Sequence, residues 1–163
     1  MTLQVIPAAP EQAPVLQNLL ELYAHDFSEF RDLDLGEDGR FGYQSLALYW
    51  SEPDRHPFLL RVAGKLAGLV LVTREDAVWD MTEFFVVRGC RGRGIGLQAA
   101  HEIWRRFPGT WQVRVMQANV PAHRFWAGAI SKFTGAAVHP VHFEKAGAGW
   151  TLFSFESKGS GIA

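Results

Sequence analysis

The segment from Phe84 to Gly96 constrains this chain more than any other. An apolar run of strand-forming residues, 84–87, leads directly into residues 88–96, which hold three arginines and four glycines. Apolar residues at helical spacing follow at once. The N–H groups at a helix N-terminus lack helical partners, the helix dipole favours negative charge there, and glycines let a ligand approach the main chain. This order of strand, glycine-rich turn and helix therefore indicates a site for a phosphorylated cofactor.

Two common phosphate-binding motifs do not fit this segment. A dinucleotide fingerprint needs G-x-G-x-x-G and an acid about 20 residues later. Here the third glycine comes early, and no acid ends the next apolar strand. The P-loop pattern fails because no Gly-Lys-Ser/Thr is present. The pattern that fits is R-x-x-G-x-G, with Arg91, Gly94 and Gly96 at its fixed positions. A nucleotide-dependent oxidoreductase stays open as a less favoured alternative.

The R-x-x-G-x-G pattern resembles the pyrophosphate-binding signature of the GNAT family of N-acetyltransferases, which use acetyl-CoA. A second segment, residues 119–126, is similar to the later family segment in which Asn, Ala and a Phe-aromatic pair open a helix. The interval between the two segments suits one helix and one strand. The resemblance implies an α+β, GNAT-like (acyl-CoA N-acyltransferase) fold, with a central mixed, mostly antiparallel sheet flanked by helices. The implied activity is acetyl-CoA-dependent acetylation of a primary amine on a small molecule or a peptide.

Periodicity of the apolar residues predicts four helices and six strands along the chain. Their order is two helices, three strands, helix, strand, helix and two strands, which resembles the GNAT fold. We expect one domain over residues 1–157 and a flexible tail over 158–163. The predicted helices cover 10–30, 43–50, 94–107 and 121–133, and the predicted strands cover 58–62, 66–73, 78–87, 111–116, 137–143 and 150–156.

The resemblance also implies which residues hold acetyl-CoA. Main-chain groups of the central strand would pair with the pantetheine arm, and the loop with the helix start would hold the pyrophosphate, with an arginine adding charge. Asn119 would either contact the cofactor or cap the helix that follows it. The cofactor-binding residues implied in this way are Phe85, Val86, Arg91, Gly92, Arg93, Gly94, Ile95, Gly96 and Asn119.

Glu83 and Asp80 are the candidate catalytic carboxylates, because the family often uses an acid near its central strand as the base. Strand alternation places them on opposite faces unless a bulge intervenes. Many family members have a tyrosine acid where this chain has Trp126, so no general acid is carried over from the resemblance. Cys90 lies on the phosphate side, so we expect direct transfer without an acyl-enzyme. A non-catalytic acyl-CoA sensor is the alternative.

Charge and composition limit the partners. The net charge of −1 argues against nucleic acid, and no apolar run is long enough to span a bilayer. We expect no metal, a cytoplasmic location consistent with a single cysteine, and a possible homodimer. Residues 1–40 hold eight acids against two arginines, and residues 88–106 hold five arginines against one glutamate. The acidic part either faces a cationic amine acceptor or is a solvated surface.

Overall fold

The computed structural model describes residues 2–160 of the chain. Seven strands form one sheet in the order β1-β2-β3-β4-β5-β7-β6. Four α-helices flank it. The strands are β1 Leu3–Pro7, β2 Arg55–Val62, β3 Lys65–Glu75, β4 Val78–Val86, β5 Gly109–Met116, β6 Val141–Lys145 and β7 Ala148–Ser157. The helices are α1 Ala13–Phe27, α2 Leu48–Ser51, α3 Ile95–Arg106 and α4 Val120–Thr134.

Strand direction confirms the mixed, mostly antiparallel sheet that the family resemblance implied. Among the strands of residues 2–160, β4 and β5 form the one parallel pair, and every other neighbouring pair is antiparallel. The parallel pairing is short, since it joins only Val78–Asp80 to residues 110–112. α3 is the crossover between β4 and β5, as a parallel connection requires.

Each face of the sheet packs against its own pair of helices. α3 and α4 bury the larger apolar cluster, which includes Trp104, Trp111 and Phe153. α1 and α2 bury a smaller cluster on the other face, over β2, β3 and β4. α1 supplies its leucine stripe, Leu16, Leu19 and Leu20, to this second cluster, at the helical spacing read from the sequence.

β1 is absent from the elements predicted by periodicity, and it is a five-residue edge strand with a single buried side chain, Val5. Its partner β2 begins almost 50 residues later in the chain, so no local pattern marks it. The predicted helix over 10–30 is a short 3₁₀ turn at Pro10–Gln12 followed by α1. The strand expected at 137–143 forms later, at Val141–Lys145. Of the expected tail, residues 161–163 lie outside the described part of the chain.

Gly68 of β3 allows close approach to β4, the strand that leads into the glycine-rich loop. A Cβ added at Gly68 would lie 1.9 Å from the carbonyl oxygen of Phe85. Backbone cannot yield as the end of a flexible side chain can, so any side chain here would push β4 out of position.

Replacing this glycine should therefore destabilise the protein. We expect Gly68→Ala to lower the free energy of unfolding by roughly 1–3 kcal/mol, the usual cost of overpacking. Gly128→Ala is the matched control, because Gly128 lies in α4 with open space around the new Cβ. That change should be neutral or stabilise by up to ~1 kcal/mol through helix propensity. Urea unfolding of both variants checks this, and equal stability of the two would contradict it.

Candidate functional site

A β-bulge in β4 brings the two candidate carboxylates to one face of the sheet. Leu71 of β3 pairs with Glu83, whereas the next residue, Val72, pairs with Met81, so Thr82 is the extra residue. The Thr82 hydroxyl shares a 2.7 Å hydrogen bond with Thr73 of β3. Because a bulge shifts the alternation of side chains by one residue, Asp80 and Glu83 share a face despite their odd spacing.

Glu83 is enclosed by tyrosines from the other half of the chain. The Tyr43 hydroxyl donates to Glu83 Oε1 at 3.4 Å, and the Tyr23 hydroxyl is a second donor to the same carboxylate. Burial raises the pKa of Glu83 from its ordinary 4.5 to about 7, opposed by the hydrogen bonds from Tyr23 and Tyr43. The negative charge of Asp80 adds to the increase. Glu83 therefore exchanges its proton near neutral pH, which suits a general base.

These tyrosines were not linked to Glu83 from the sequence, because they lie far from it in the chain. Tyr23 is on α1, and Tyr43 is on the segment that leads into α2. Burial, followed by the charge of Glu83, raises the pKa of both hydroxyls well above the ordinary 10.0. They stay protonated and keep donating to Glu83. No local sequence pattern could have paired them with a residue on β4, because only the folded chain brings them together.

Asp80 has a different environment from Glu83. Its side chain is buried, and its Oδ2 accepts a hydrogen bond from Gln112 Nε2 at 2.9 Å and pairs with Arg114 at 2.8 Å. Gln112 and Arg114 are two residues apart on β5, so both side chains point to the same face of the sheet, the one that holds Glu83. Asp80 is thus committed to a local ion pair. Neither β5 side chain could be connected to the site from the sequence alone.

The strands β4 and β5 diverge beyond Asp80, which leaves a gap in the sheet. The second half of β4 pairs only with β3, and β5 continues alongside β7 as far as Met116. The N–H of Val87 donates to Ala67 of β3, so by alternation the main chain of Val86 and Phe84 faces the gap. The main chain of Phe85, which the resemblance implied would pair with pantetheine, faces β3 instead. Val86 confirms this direction, since its carbonyl accepts a 2.7 Å bond from Arg91 Nε of the loop.

The glycine-rich loop lies at the mouth of this gap. Gly94 precedes α3 with a φ of 76°, a left-handed conformation that glycine adopts readily. The first bond of α3 runs from the N–H of Gln98 to the carbonyl of Gly94, so the N–H groups of residues 95–97 have no helical partner. Gly96 is packed closely, since a Cβ there would lie 3.2 Å from the ring of Phe125 on α4.

Asp26 at the end of α1 holds the loop in place. Its Oδ1 accepts bonds from Arg88 at 3.0 and 2.6 Å, and its Oδ2 accepts one from Arg91 at 2.5 Å. Partial burial raises the pKa of Asp26, but hydrogen bonds from Arg91 and Arg88 outweigh this and lower it. Arg91 therefore anchors the loop, and Arg93 lies exposed in the same loop. In the sequence, Asp26 stood out only as one of the N-terminal acids.

The second predicted segment lies beside the loop. The Asn119 side chain caps α4 by accepting the N–H of Ala122 at 3.2 Å, and Asn119 also lines the cleft next to the loop. Trp126 is buried in the apolar core and makes an edge contact with Phe84, with ring centroids 4.9 Å apart. Trp126 thus has a packing role at the position where many members of the resembling family have a tyrosine acid.

Two connected clefts result. The loop cleft, of about 530 Å³, lies among the end of α1, β4 and the starts of α3 and α4. It brings Phe85, Val86, Arg91, Gly92, Gly94, Ile95, Gly96 and Asn119 together. The sheet cleft, of about 1050 Å³, lies between α1 with residues 30–43 and the strands β4 to β7, and contains Asp80 and Glu83. The clefts share Tyr23, Phe27, Phe30, Phe84, Asn119, Ala122 and Trp126.

The indoles of Trp50 and Trp79 and the thiol of Cys90 lie in structural environments. The indole N–H groups of Trp50 and Trp79 donate to the main-chain oxygens of Ala8 and Pro108. Cys90 is a free thiol, half-buried against the larger apolar cluster. Within the described residues, no group of three or more His, Cys, Asp or Glu side chains is placed to hold a metal ion. Over the same residues, no helix has the length and apolar character needed to cross a bilayer.

Comparison with known proteins identifies the family. Residues 16–129 match the sequence model of the acetyltransferase (GNAT) family. This match covers well over half of the chain, so the protein belongs to the GNAT family and is an N-acetyltransferase. A search of curated protein sequences found no match.

Solved structures share the fold at low sequence identity. An acetyltransferase from Thermus thermophilus superposes with a TM-score of 0.68 at 18% identity, covering 96% of this chain and 97% of that one. The Escherichia coli ribosomal-protein-S18-alanine N-acetyltransferase has a TM-score of 0.62 at 10% identity, covering 99% and 97%. RimL, a ribosomal L7/L12 alpha-N-protein acetyltransferase in complex with coenzyme A, has a TM-score of 0.67 at 14% identity, covering 96% and 94%.

The loop geometry predicts a specific loss of coenzyme A binding. Gly94→Asp would place a carboxylate and a Cβ at the N-terminus of α3, where phosphate must approach the main chain. Gly64→Asp is the matched control, because Gly64 has a similar φ of 77° with open space around it and lies in the β2–β3 turn. Calorimetry should show coenzyme A affinity reduced at least ~100-fold for the first variant and unchanged for the second, given typical phosphate contacts. Equal affinity of two folded variants would contradict the assignment.

Proposed function

We propose that this protein is an acetyl-CoA-dependent N-acetyltransferase that transfers the acetyl group directly to a primary amine. The observation that carries the proposal is Glu83, a carboxylate with a pKa of about 7 placed in the sheet cleft beside the gap between β4 and β5. A pKa near the working pH is what a general base needs. The same property favours turnover over the role of a non-catalytic acyl-CoA sensor.

The residues around the loop cleft fit acetyl-CoA. The unpartnered N–H groups of Ile95, Gly96 and residue 97 offer a site for pyrophosphate, with Arg93 exposed nearby. The main chain of Phe84 and Val86 along the gap offers polar groups to the pantetheine arm, and Phe85 and Gly92 complete the wall. When bound, the cofactor supplies a thioester carbon to the amine. The coenzyme A bound to RimL, which has the same fold, supports this choice of cofactor.

Glu83 is placed to take the proton that the amine must lose. Tyr23 and Tyr43 hold its carboxylate by donating hydrogen bonds. Those bonds favour the charged form, so they lower the pKa of Glu83 and reduce the fraction that is protonated at neutral pH. Asp80 is a weaker candidate for the same step, because Arg114 and Gln112 already occupy it. A main-chain N–H of β4 along the gap is the candidate donor to the thioester oxygen as negative charge develops there.

Among the described residues that line the clefts, neither Trp126 nor the two tyrosines suit the role of proton donor to the departing thiol group. Trp126 is committed to packing, and the raised pKa of Tyr23 and Tyr43 makes both hydroxyls poor acids. Thiols ionise readily enough to leave unassisted or with a proton from water. Cys90 lines neither cleft, which supports direct transfer over an acyl-enzyme.

Glu83→Gln tests the base. The variant should lose ~10²-fold in kcat/KM near pH 7, with a smaller loss at high pH where the acceptor amine sheds its own proton. In the unchanged protein kcat/KM should rise with pH through about 7, as Glu83 loses its proton. A loss of equal size at every pH would contradict the assignment. Asp80→Asn is the comparison variant: its kcat/KM should still rise with pH, but with a lower midpoint, because the charge of Asp80 contributes to the raised pKa of Glu83.

Stability separates this catalytic role from a structural one. The pKa of Glu83 is higher in the folded protein than its ordinary 4.5, so the folded state binds more protons between pH 4.5 and about 7 and loses stability as pH rises through that window. Glu83→Gln removes that cost. The variant should therefore melt at a higher temperature than the unchanged protein at pH 8 while being less active. A lower melting temperature would support a structural role instead.

The acceptor, we further propose, is a cationic amine attracted by the acidic N-terminal part of the chain. Asp32 and Asp34 line the sheet cleft, whereas Glu37 and Asp38 are not among its lining residues. A negative cleft raises the local concentration of cations, and amines are mostly protonated at neutral pH.

This division of the acidic segment gives a matched experiment. Asp32→Asn with Asp34→Asn should raise the acceptor KM several-fold at low salt and flatten its dependence on ionic strength, because surface fields are screened beyond ~8–10 Å at physiological salt. Glu37→Gln with Asp38→Asn changes the charge equally but away from the cleft, and should have little effect. If both pairs behave alike, the segment is a solvated surface.

Low net charge supports a small-molecule or peptide acceptor over nucleic acid, and we propose a cytoplasmic location with Cys90 reduced. A homodimer stays a prediction that sedimentation would test. Release of thiol from acetyl-CoA in the presence of an amine panel decides between the enzyme and the non-catalytic sensor.

A further inference from the structure

Half of the sheet face that bears Glu83 has no helix of residues 2–160 packed on it. The cluster beneath α1 and α2 takes its strand residues from Leu59, Leu69, Leu71 and Phe85, which belong to β2, β3 and β4. The strands β5, β7 and β6 contribute none of the described residues of that cluster. The sheet therefore continues beyond Glu83 as an open surface that forms one wall of the sheet cleft.

This open half carries a continuous apolar strip, which we define as Met116, Val141, Phe143, Trp150 and Leu152. Trp150 of β7 lies between Met116 of β5 and Phe143 of β6, and Leu152 pairs with Val141. The rings of Phe143 and Trp150 stack at 6.5 Å with an interplanar angle of 18°. The first half of the strip lines the sheet cleft, and the strip ends at Val141, which is 60% exposed. Apolar surface continuous with a cleft is typical of a binding site.

The distance from Glu83 to the strip sets the size of the acceptor. Trp150 lies on the second strand beyond β4, so at ~4.8 Å per strand the separation is roughly 10 Å, and the divergence of β4 from β5 adds to it. An extended polypeptide advances about 3.3 Å per residue. A chain whose terminal amine is at Glu83 would therefore place its second or third side chain on Trp150 and Phe143, which an amine of only a few heavy atoms is too short to reach.

The charges around the strip favour one positive charge on the acceptor and no more. Asp32, Asp34 and Glu83 lie in the cleft where the reacting ammonium would arrive. Lys145 lines the cleft beside the strip and would repel a further ammonium group of a polyamine stretched along it, whereas the charge of Arg114 is paired with Asp80. An uncharged apolar side chain meets no such repulsion there.

We propose that the acceptor is the N-terminal segment of a polypeptide with a bulky apolar side chain at its second or third residue, bound on the apolar strip. The inference rests on the proposed function and names its substrate class. In the reaction, the neutral terminal nitrogen forms the amide bond to the acetyl carbon and the carbon–sulfur bond breaks. The proton from nitrogen passes to Glu83, and coenzyme A leaves as its thiolate, which takes a proton from water.

The test compares two peptide acceptors that differ only in the side chains expected to contact the strip, together with a small polyamine. Peptides sharing a free N-terminal serine carry Leu and Phe, or Gln and Ser, at residues two and three, and spermidine is the small polyamine. With acetyl-CoA, kcat/KM for the apolar peptide should exceed that for the polar peptide at least ~10-fold, as expected for burial of a large apolar side chain. Trp150→Ala and Phe143→Ala should each remove most of this preference and leave the KM for acetyl-CoA within about 2-fold, since neither residue lines the loop cleft.

Leu22→Ala is the matched control, because Leu22 is an exposed apolar residue of α1 that lines neither cleft. It should leave the preference intact. Equal kcat/KM for the two peptides, a preference that survives both strip variants, or spermidine as the best acceptor would each overturn the proposal. The peptide comparison in the unchanged protein stands even if a strip variant fails to fold.

Direct binding separates this proposal from the proposed function. Calorimetry of the coenzyme A-loaded protein measures peptide affinity without turnover. Strip-dependent binding of the apolar peptide with no acetylation of any amine would contradict the proposed function and support the strip. Acetylation of amines with no apolar preference in binding or turnover would support the proposed function and overturn the strip.

Discussion

The divergence of β4 from β5 is the constraint on which the rest of the site depends. These strands are parallel within an otherwise antiparallel sheet, and their pairing ends at Asp80, two residues before the bulge at Thr82. A bulge bends its strand and increases the local twist, so it turns β4 away from β5 at this point. β5 stays in the sheet through its continuous pairing with β7. One extra residue thus opens the gap, frees the polar edge of β4 and turns Glu83 into the cleft.

The two carboxylates near the bulge differ because their neighbours differ. Asp80 meets a guanidinium and an amide, which hold it in an ion pair and a hydrogen bond. Glu83 meets two neutral hydroxyls that orient it, and the positive charge of Arg114 lowers its pKa less than burial raises it. Burial then dominates, and the pKa of Glu83 rises to about 7. Placing a carboxylate among neutral donors in a half-closed cleft is a direct physical route to a base that works at neutral pH.

Local sequence was sufficient for the parts of the site built from contiguous residues. The strand, the glycine-rich loop and the start of α3 follow from residues 84–96, because apolar alternation and glycine conformations act over a few residues. The family, the fold and the order of the later elements followed from the same signals. Contacts between distant segments could not be predicted in this way. They include the pairing of β1 at the sheet edge, the ion pairs of Asp26 with the loop arginines, and the hydrogen bonds of Tyr23 and Tyr43 to Glu83. The sequence analysis could say only that a bulge would bring Asp80 and Glu83 to one face. It could not predict the bulge, since no residue type at position 82 demands one.

Titration of the Glu83 carboxyl tests the central claim most directly, because it needs neither substrate nor turnover. In protein labelled with ¹³C at the glutamate carboxyl carbon, the Glu83 signal is identified by its absence from Glu83→Gln. Its midpoint should lie at about 7, and Tyr43→Phe should move it higher, because a hydrogen bond that favours the charged form is lost. A midpoint near the ordinary 4.5, or one that Tyr43→Phe leaves in place, would contradict the account of Glu83 as a buried base held by tyrosines.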